Sequence, residues 1–113
     1  MSAYIPYFYL LMAIIFEVIA TTALKASDTL SKPVPTIIMV IGYLTCFVFL
    51  SLVMRTMPVG IAYAIWSGLG VVLITVAAFI LFGEKLDIAS LAGMALIILG
   101  IVVIKAFSKT GTL

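Results

Sequence analysis

Residues 4–24 read YIPYFYLLMAIIFEVIATTAL, and Glu17 is the only charged side chain in that run. A hydrocarbon core ~30 Å thick is crossed by about 20 predominantly apolar residues in a helix, so this segment is long enough to span a bilayer. It has to be a helix, because an isolated strand in hydrocarbon leaves its backbone N–H and C=O groups without partners. A cleaved signal peptide is the poorer reading. No lysine or arginine precedes the run, it outruns a usual apolar h-region, and it holds a central glutamate.

Outward from this run the pattern repeats three times. Lys25, Ser27, Asp28, Ser31, Lys32, Pro33 and Pro35 form the longest polar break. A second apolar run covers roughly 34–54 and ends at Arg55-Thr56-Met57-Pro58. The third covers roughly 59–82 and ends at Gly83-Glu84-Lys85-Leu86-Asp87; the fourth covers roughly 88–105 and leads into a polar tail, Ser108 to Leu113. Four spans consume nearly all of the 113 residues. The expected architecture is therefore one four-helix transmembrane domain, residues 1–113, in an all-α integral membrane protein.

Composition agrees: 66% of residues are hydrophobic and 9% charged, against about 25% charged in an ordinary soluble domain, and the mean hydropathy is +1.46. A net charge of +2 without a basic cluster argues against nucleic acid as a partner. The single cysteine excludes an internal disulfide, and the absence of histidine removes the commonest metal ligand and general base. No metal site, cofactor or enzymatic centre is expected, and any chemistry has to lie between helices.

The placement of basic residues bears on assembly. Four spans put both termini and the second loop on one side, with Arg55, Lys105 and Lys109; the first and third loops, with Lys25, Lys32 and Lys85, lie opposite. Lysine and arginine excess in cytoplasmic loops normally fixes orientation, and three against three supplies none. The chain is thus expected to insert both ways round and pair with an inverted copy. The plainer alternative is that one loop dominates, or that Lys105 snorkels and counts for little.

Glu17 is the residue with chemical potential. A charge at mid-membrane costs ~2.5–3.5 kcal/mol on insertion scales and is rare without a function. Hydrocarbon disfavours the ionised form of a carboxyl group and so brings proton exchange toward neutral pH, the property that a proton-coupled site needs. Ala13 and Ala20, at helical spacing from Glu17, are expected to leave space beside it, and Thr21 to offer it a hydrogen bond. On the third run Tyr63, Trp66, Ser67 and Gly70 share a face; on the second, Tyr43 and Phe47 do, with Cys46 between them. Tyr4, Tyr7 and Tyr9 fit an interfacial belt. A lone carboxylate among aromatic rings suits an organic cation, whose charge meets the acid and the ring quadrupoles. Gly68 and Gly70 are expected to form a mid-span kink. Gly93 and Gly100, seven apart, mark a smooth strip for helix–helix contact. Four such helices do not enclose a drug-sized cavity alone, so a dimer is the smallest sensible unit.

Three strings bring these residues together in a known pattern: Glu17-Val18-Ile19-Ala20-Thr21-Thr22 with Leu24-Lys25, Pro58 through Gly70, and Gly83-Glu84-Lys85-Leu86-Asp87. The chain resembles the small multidrug resistance family over nearly its whole length, and within it the quaternary-ammonium branch. The resemblance implies an antiparallel homodimer that exchanges protons for lipophilic cations across a bacterial inner membrane. It implies Glu17 as the carboxylate shared by proton and substrate, and Tyr63 and Trp66 as aromatic substrate contacts. It further implies Tyr7, Tyr43 and Phe47 as cavity-lining positions, Gly68 and Gly70 as a third-helix kink, and Gly93 and Gly100 as a fourth-helix dimer contact. One departure is Cys46, where many members have serine; a thiol is the weaker hydrogen-bond donor. A second branch of the family exports guanidinium and commonly has a tryptophan three residues after the glutamate, where this chain has Ala20. Two further alternatives are a proton-translocating rotor or channel subunit, which would need no aromatic cage, and a non-transporting membrane subunit, which would leave Glu17 without a purpose.

Overall fold

A computed structural model describes residues 5–107; Tyr4, Lys109 and the tail from Ser108 to Leu113 lie outside the described residues. Four helices follow one another: α1 (Ile5–Ala26), α2 (Pro33–Val53), α3 (Val59–Phe82) and α4 (Ile88–Phe107). Each is long and apolar enough to cross a membrane, and there is no strand among the described residues.

The helix ends follow from local chemistry. Ser27, wholly buried, closes α1: its hydroxyl donates to Leu24 O at 2.7 Å and accepts from Leu30 N–H at 3.0 Å. Around it Asp28, Thr29 and Leu30 all take positive φ, at 50°, 61° and 66°, a left-handed turn that costs roughly 1–2 kcal/mol per non-glycine residue. Pro33 opens α2, where a missing N–H is harmless and a fixed φ favours the first turn. Gly83 ends α3 at φ 69°, a conformation free of strain only without a Cβ. Asp87 precedes α4 and accepts the Ser90 N–H at 2.8 Å, satisfying one of the helix's orphan donors. Hydrogen bonds from Ser90, its side chain first and its backbone N–H second, hold the Asp87 carboxyl below the ordinary carboxylate range. α1 and α4 run on slightly past Leu24 and Lys105, because Lys25 and Ala26 complete the last turn of one and Ala106 and Phe107 that of the other.

α1 is the centre of the protomer. It packs most extensively on α2 and then on α3, whereas α4 is held chiefly by α3. The core joins Leu10, Ala13 and Ile14 of α1 to Cys46, Leu50 and Val53 of α2 and to Met57, Ala62 and Ile65 around the start of α3. α2 comes close to α1 because Gly42 lacks a side chain: a Cβ there would lie 2.9 Å from the Ala20 Cβ and 3.2 Å from Phe16 O. No residue of α4 is buried within the protomer. Its surface, with the outward apolar faces of the other helices, is left for lipid or for another protein.

A candidate cation-binding cleft around Glu17

Glu17 lies ~18 Å along α1 from Ile5 at 1.5 Å per residue, close to the middle of the span. Its Oε2 accepts a hydrogen bond from Thr21 Oγ1 at 2.8 Å, one turn on. Thr21 Oγ1 also lies 2.7 Å from the Tyr43 hydroxyl. Threonine has a single hydroxyl proton; with that proton on Glu17, Tyr43 is the donor of the second bond. The three residues thus form a short chain of donors ending on the carboxylate. The other oxygen, Oε1, faces Gly70 of α3 so closely that a Cβ at that position would overlap it. Gly70 is the clearance that lets α3 pass the acid.

An open-sided cleft of about 290 Å³ adjoins this group, lined by Glu17, Thr21, Tyr43, Phe47, Tyr63, Trp66, Ser67 and Gly70, with Val71 and Ile74. The rings come in two pairs. Tyr63 and Trp66 have centroids 5.3 Å apart and tilted by 47°; Tyr43 and Phe47 are 6.2 Å apart and stacked within 18°. Phe47 and Tyr63 remain 53% and 55% exposed, so the cleft is walled on one side only. No basic side chain lines it. The Ser67 hydroxyl turns back to donate to Tyr63 O at 2.7 Å, so towards a guest it is an acceptor only.

Trp66 Nε1 is buried and makes no geometrically complete hydrogen bond. The polar group beside it is the Cys46 thiol, a weak acceptor. An unsatisfied buried N–H costs about 1–3 kcal/mol. Cys46 itself belongs to the core beneath the cleft rather than to its wall.

Other expected site residues fall elsewhere. Ala13 and Ala20 are fully buried and open no space beside Glu17: Ala13 is part of the core and Ala20 lies under Gly42. Helical spacing identified their face of α1 correctly as small, but that face is occupied by α2. Tyr7 lies not in the Glu17 cleft but in a second groove, where Lys105 Nζ sits 4.1 Å from its ring centroid. α3 is a continuous helix through Gly68 and Gly70. Gly68 is a contact position for α4, since a Cβ there would come within 2.8 Å of Ile101 and 3.0 Å of Ile97. Gly93 and Gly100 meet nothing within 4 Å and lie on the open side of α4. Missed from the sequence were Val71 and Ile74 in the cleft wall, Gly42, and the Lys25–Glu84 ion pair of 2.9 Å that ties the end of α1 to the α3–α4 loop.

A four-helix membrane protein whose mid-span carboxylate is flanked by aromatic rings has the makings of a carrier for organic cations. Comparison with known proteins places it more closely: residues 5–97 match the model of the Small Multidrug Resistance protein family. The chain belongs to that family and is a multi-pass membrane transporter, not an enzyme. It is 53% identical to a multidrug transporter of Pseudomonas aeruginosa, over 91% of this chain and 94% of that one. It is 52% identical to the quaternary ammonium compound-resistance protein QacE of Escherichia coli, over 89% and 92% of the two chains. With QacH of Staphylococcus saprophyticus, also a quaternary ammonium compound-resistance protein, identity is 44% over 93% and 98%.

Proposed function

We propose that the protein is a proton-coupled antiporter that exports lipophilic cations, quaternary ammonium and aromatic cations above all, across the bacterial inner membrane. The observation that supports this reading best is the Glu17 cleft: one carboxylate, held by Thr21, with four aromatic rings and no competing base. The relatives named for quaternary ammonium resistance support the same substrate class.

Competition supplies the mechanism. Proton and cation use the same carboxylate, so a cation enters as the proton leaves and is displaced when a proton returns. Tyr63, Trp66, Tyr43 and Phe47 attract the cation through their ring faces, at distances within ~6 Å of a centroid. Thr21, itself hydrogen-bonded to Tyr43, holds Glu17 in place during the exchange.

The functional unit is an antiparallel homodimer. A cleft of about 290 Å³ is at the lower limit of the ~300–1,000 Å³ typical of ligand pockets, and its open side needs a second wall. An inverted copy would supply one, with Gly93 and Gly100 of α4 as the contact strip. Bending of α3 at Gly68 and Gly70 would then exchange the two access states.

Unsubstituted guanidinium is a poor guest for this cleft. It needs several ordered acceptors for its fork of donors, whereas this cleft sets a single carboxylate among aromatic and aliphatic walls. The test is uptake into proteoliposomes driven by an imposed pH gradient, with tetraphenylphosphonium and guanidinium in competition. Gradient-driven uptake of the phosphonium, little reduced by guanidinium, is expected. Efficient guanidinium transport with no response to the phosphonium would overturn the substrate assignment.

A further inference from the structure

Away from Glu17, on the side of the protomer where α1 begins and α4 ends, a groove of about 230 Å³ runs between α1, α3 and α4. Its walls are aliphatic, with Leu10 and Leu11 from α1, Leu69 from α3 and Ile101 from α4. Its mouth is not. There Lys105, in the last turn of α4, lays its ammonium over the Tyr7 ring at 4.1 Å from the centroid. The lining passes from Tyr7 to Ile14 along α1 and from Lys105 back to Ile101 along α4, so its apolar part extends from the membrane surface into the hydrocarbon.

We propose that this groove is a binding site for an anionic phospholipid of the bilayer. One acyl chain lies along Leu10, Leu11, Leu69 and Ile101, and the head-group phosphate meets Lys105. Charge complementarity argues for the occupant. Among the described residues no acidic side chain pairs with Lys105. The chain's four acids are Glu17, Asp28, Glu84 and Asp87, and all are in other parts of the protomer: Glu17 is in the cleft, Glu84 holds Lys25, Asp87 caps α4, and Asp28 is in the α1–α2 turn. A basic side chain at the end of a span, with its stem over apolar surface and its head at the interface, presents a fixed positive charge at head-group depth. A zwitterionic head group offers the same phosphate but adds a positive charge beside Lys105, so a net-negative lipid fits better. The Tyr7 ring fixes the ammonium over the mouth of the groove rather than leaving it to sweep the surface.

This inference is independent of the Glu17 reading and is tested on the full chain. Native mass spectrometry would titrate the protein with phosphatidylglycerol and with phosphatidylcholine of the same acyl chains. A preference for phosphatidylglycerol of roughly fivefold is expected, the usual worth of one basic residue at an anionic surface. Lys105→Gln should abolish that preference and Lys105→Arg should keep it. Lys85→Gln, outside the groove, should leave it unchanged, and helical circular dichroism would confirm that each variant folds. Preference persisting in Lys105→Gln would overturn the proposal, because another group would be selecting the lipid. So would a shift of the monomer–dimer balance in Lys105→Gln with lipid preference intact, since the groove would then be covered by a second copy of the chain.

Discussion

Trp66 is the only tryptophan in the chain, and its indole N–H is buried without a full hydrogen bond. A hydroxyl in place of the neighbouring thiol would give it a stronger acceptor. Cys46→Ser is therefore expected to strengthen the hold on the ring by about 1 kcal/mol, the net worth of one hydrogen bond. The readout is a changed emission maximum of the single tryptophan together with a higher melting temperature in detergent. Unaltered emission would show that position 46 does not reach the indole. That Glu17, Tyr43, Tyr63 and Trp66 would meet in one cleft was legible in the sequence, because a charge or a polar aromatic deep in an apolar run is costly unless it meets a partner there. The role of Ala20 was not. Periodicity reports which face of α1 is small, and not whether that face meets a cavity or another helix. The close partner, Gly42, lies on a different span, and nothing in the local pattern announces the pairing.

At the scale of the helix, Ala20 and Gly42 set how near α2 can come to α1. Ala20→Leu adds three carbons where a single Cβ on Gly42 would already come within 2.9 Å. A loss of about 1–3 kcal/mol from overpacking is expected, measured as a lower unfolding midpoint, with cation affinity reduced because Thr21 and Tyr43 are drawn apart. A variant as stable as the parent would mean that the interface yields freely. The α4 cap gives a dependence on pH. Because the folded state holds the Asp87 carboxyl below its ordinary range, its contribution is present above the unfolded value of ~3.9 and is lost as pH falls through the folded value. Protection of the Ser90 amide, its exchange rate taken relative to that of an unstructured chain at the same pH, should fall in acid below about pH 4 and be low at all pH values in Asp87→Ala. Protection unchanged in acid in the parent would contradict the cap. By contrast, the Lys25–Glu84 pair is exposed at 60% and 48%, and such pairs contribute only ~0–1 kcal/mol.

For the whole molecule, the four spans were legible because length and hydropathy suffice for them, while the proposed pairing of inverted copies rests on the placement of basic residues and on the open side of the cleft. The even division of basic residues predicts insertion in both orientations. Two lysines added to the tail should drive most copies one way, and two in the first loop the other. Each variant alone should fail to transport, and the pair expressed together should recover, with orientation read from a C-terminal reporter. A parent chain found in one orientation only would refute the inverted dimer. The central claim is that proton and cation compete for one carboxylate, and the most direct measurement is proton release on cation binding. The purified protein in weakly buffered detergent, mixed with tetraphenylphosphonium, should release protons in proportion to cation bound, with affinity rising as pH rises. Glu17→Gln should bind no cation and release none. Cation binding at parental affinity in Glu17→Gln, or binding by the parent without proton release, would contradict it.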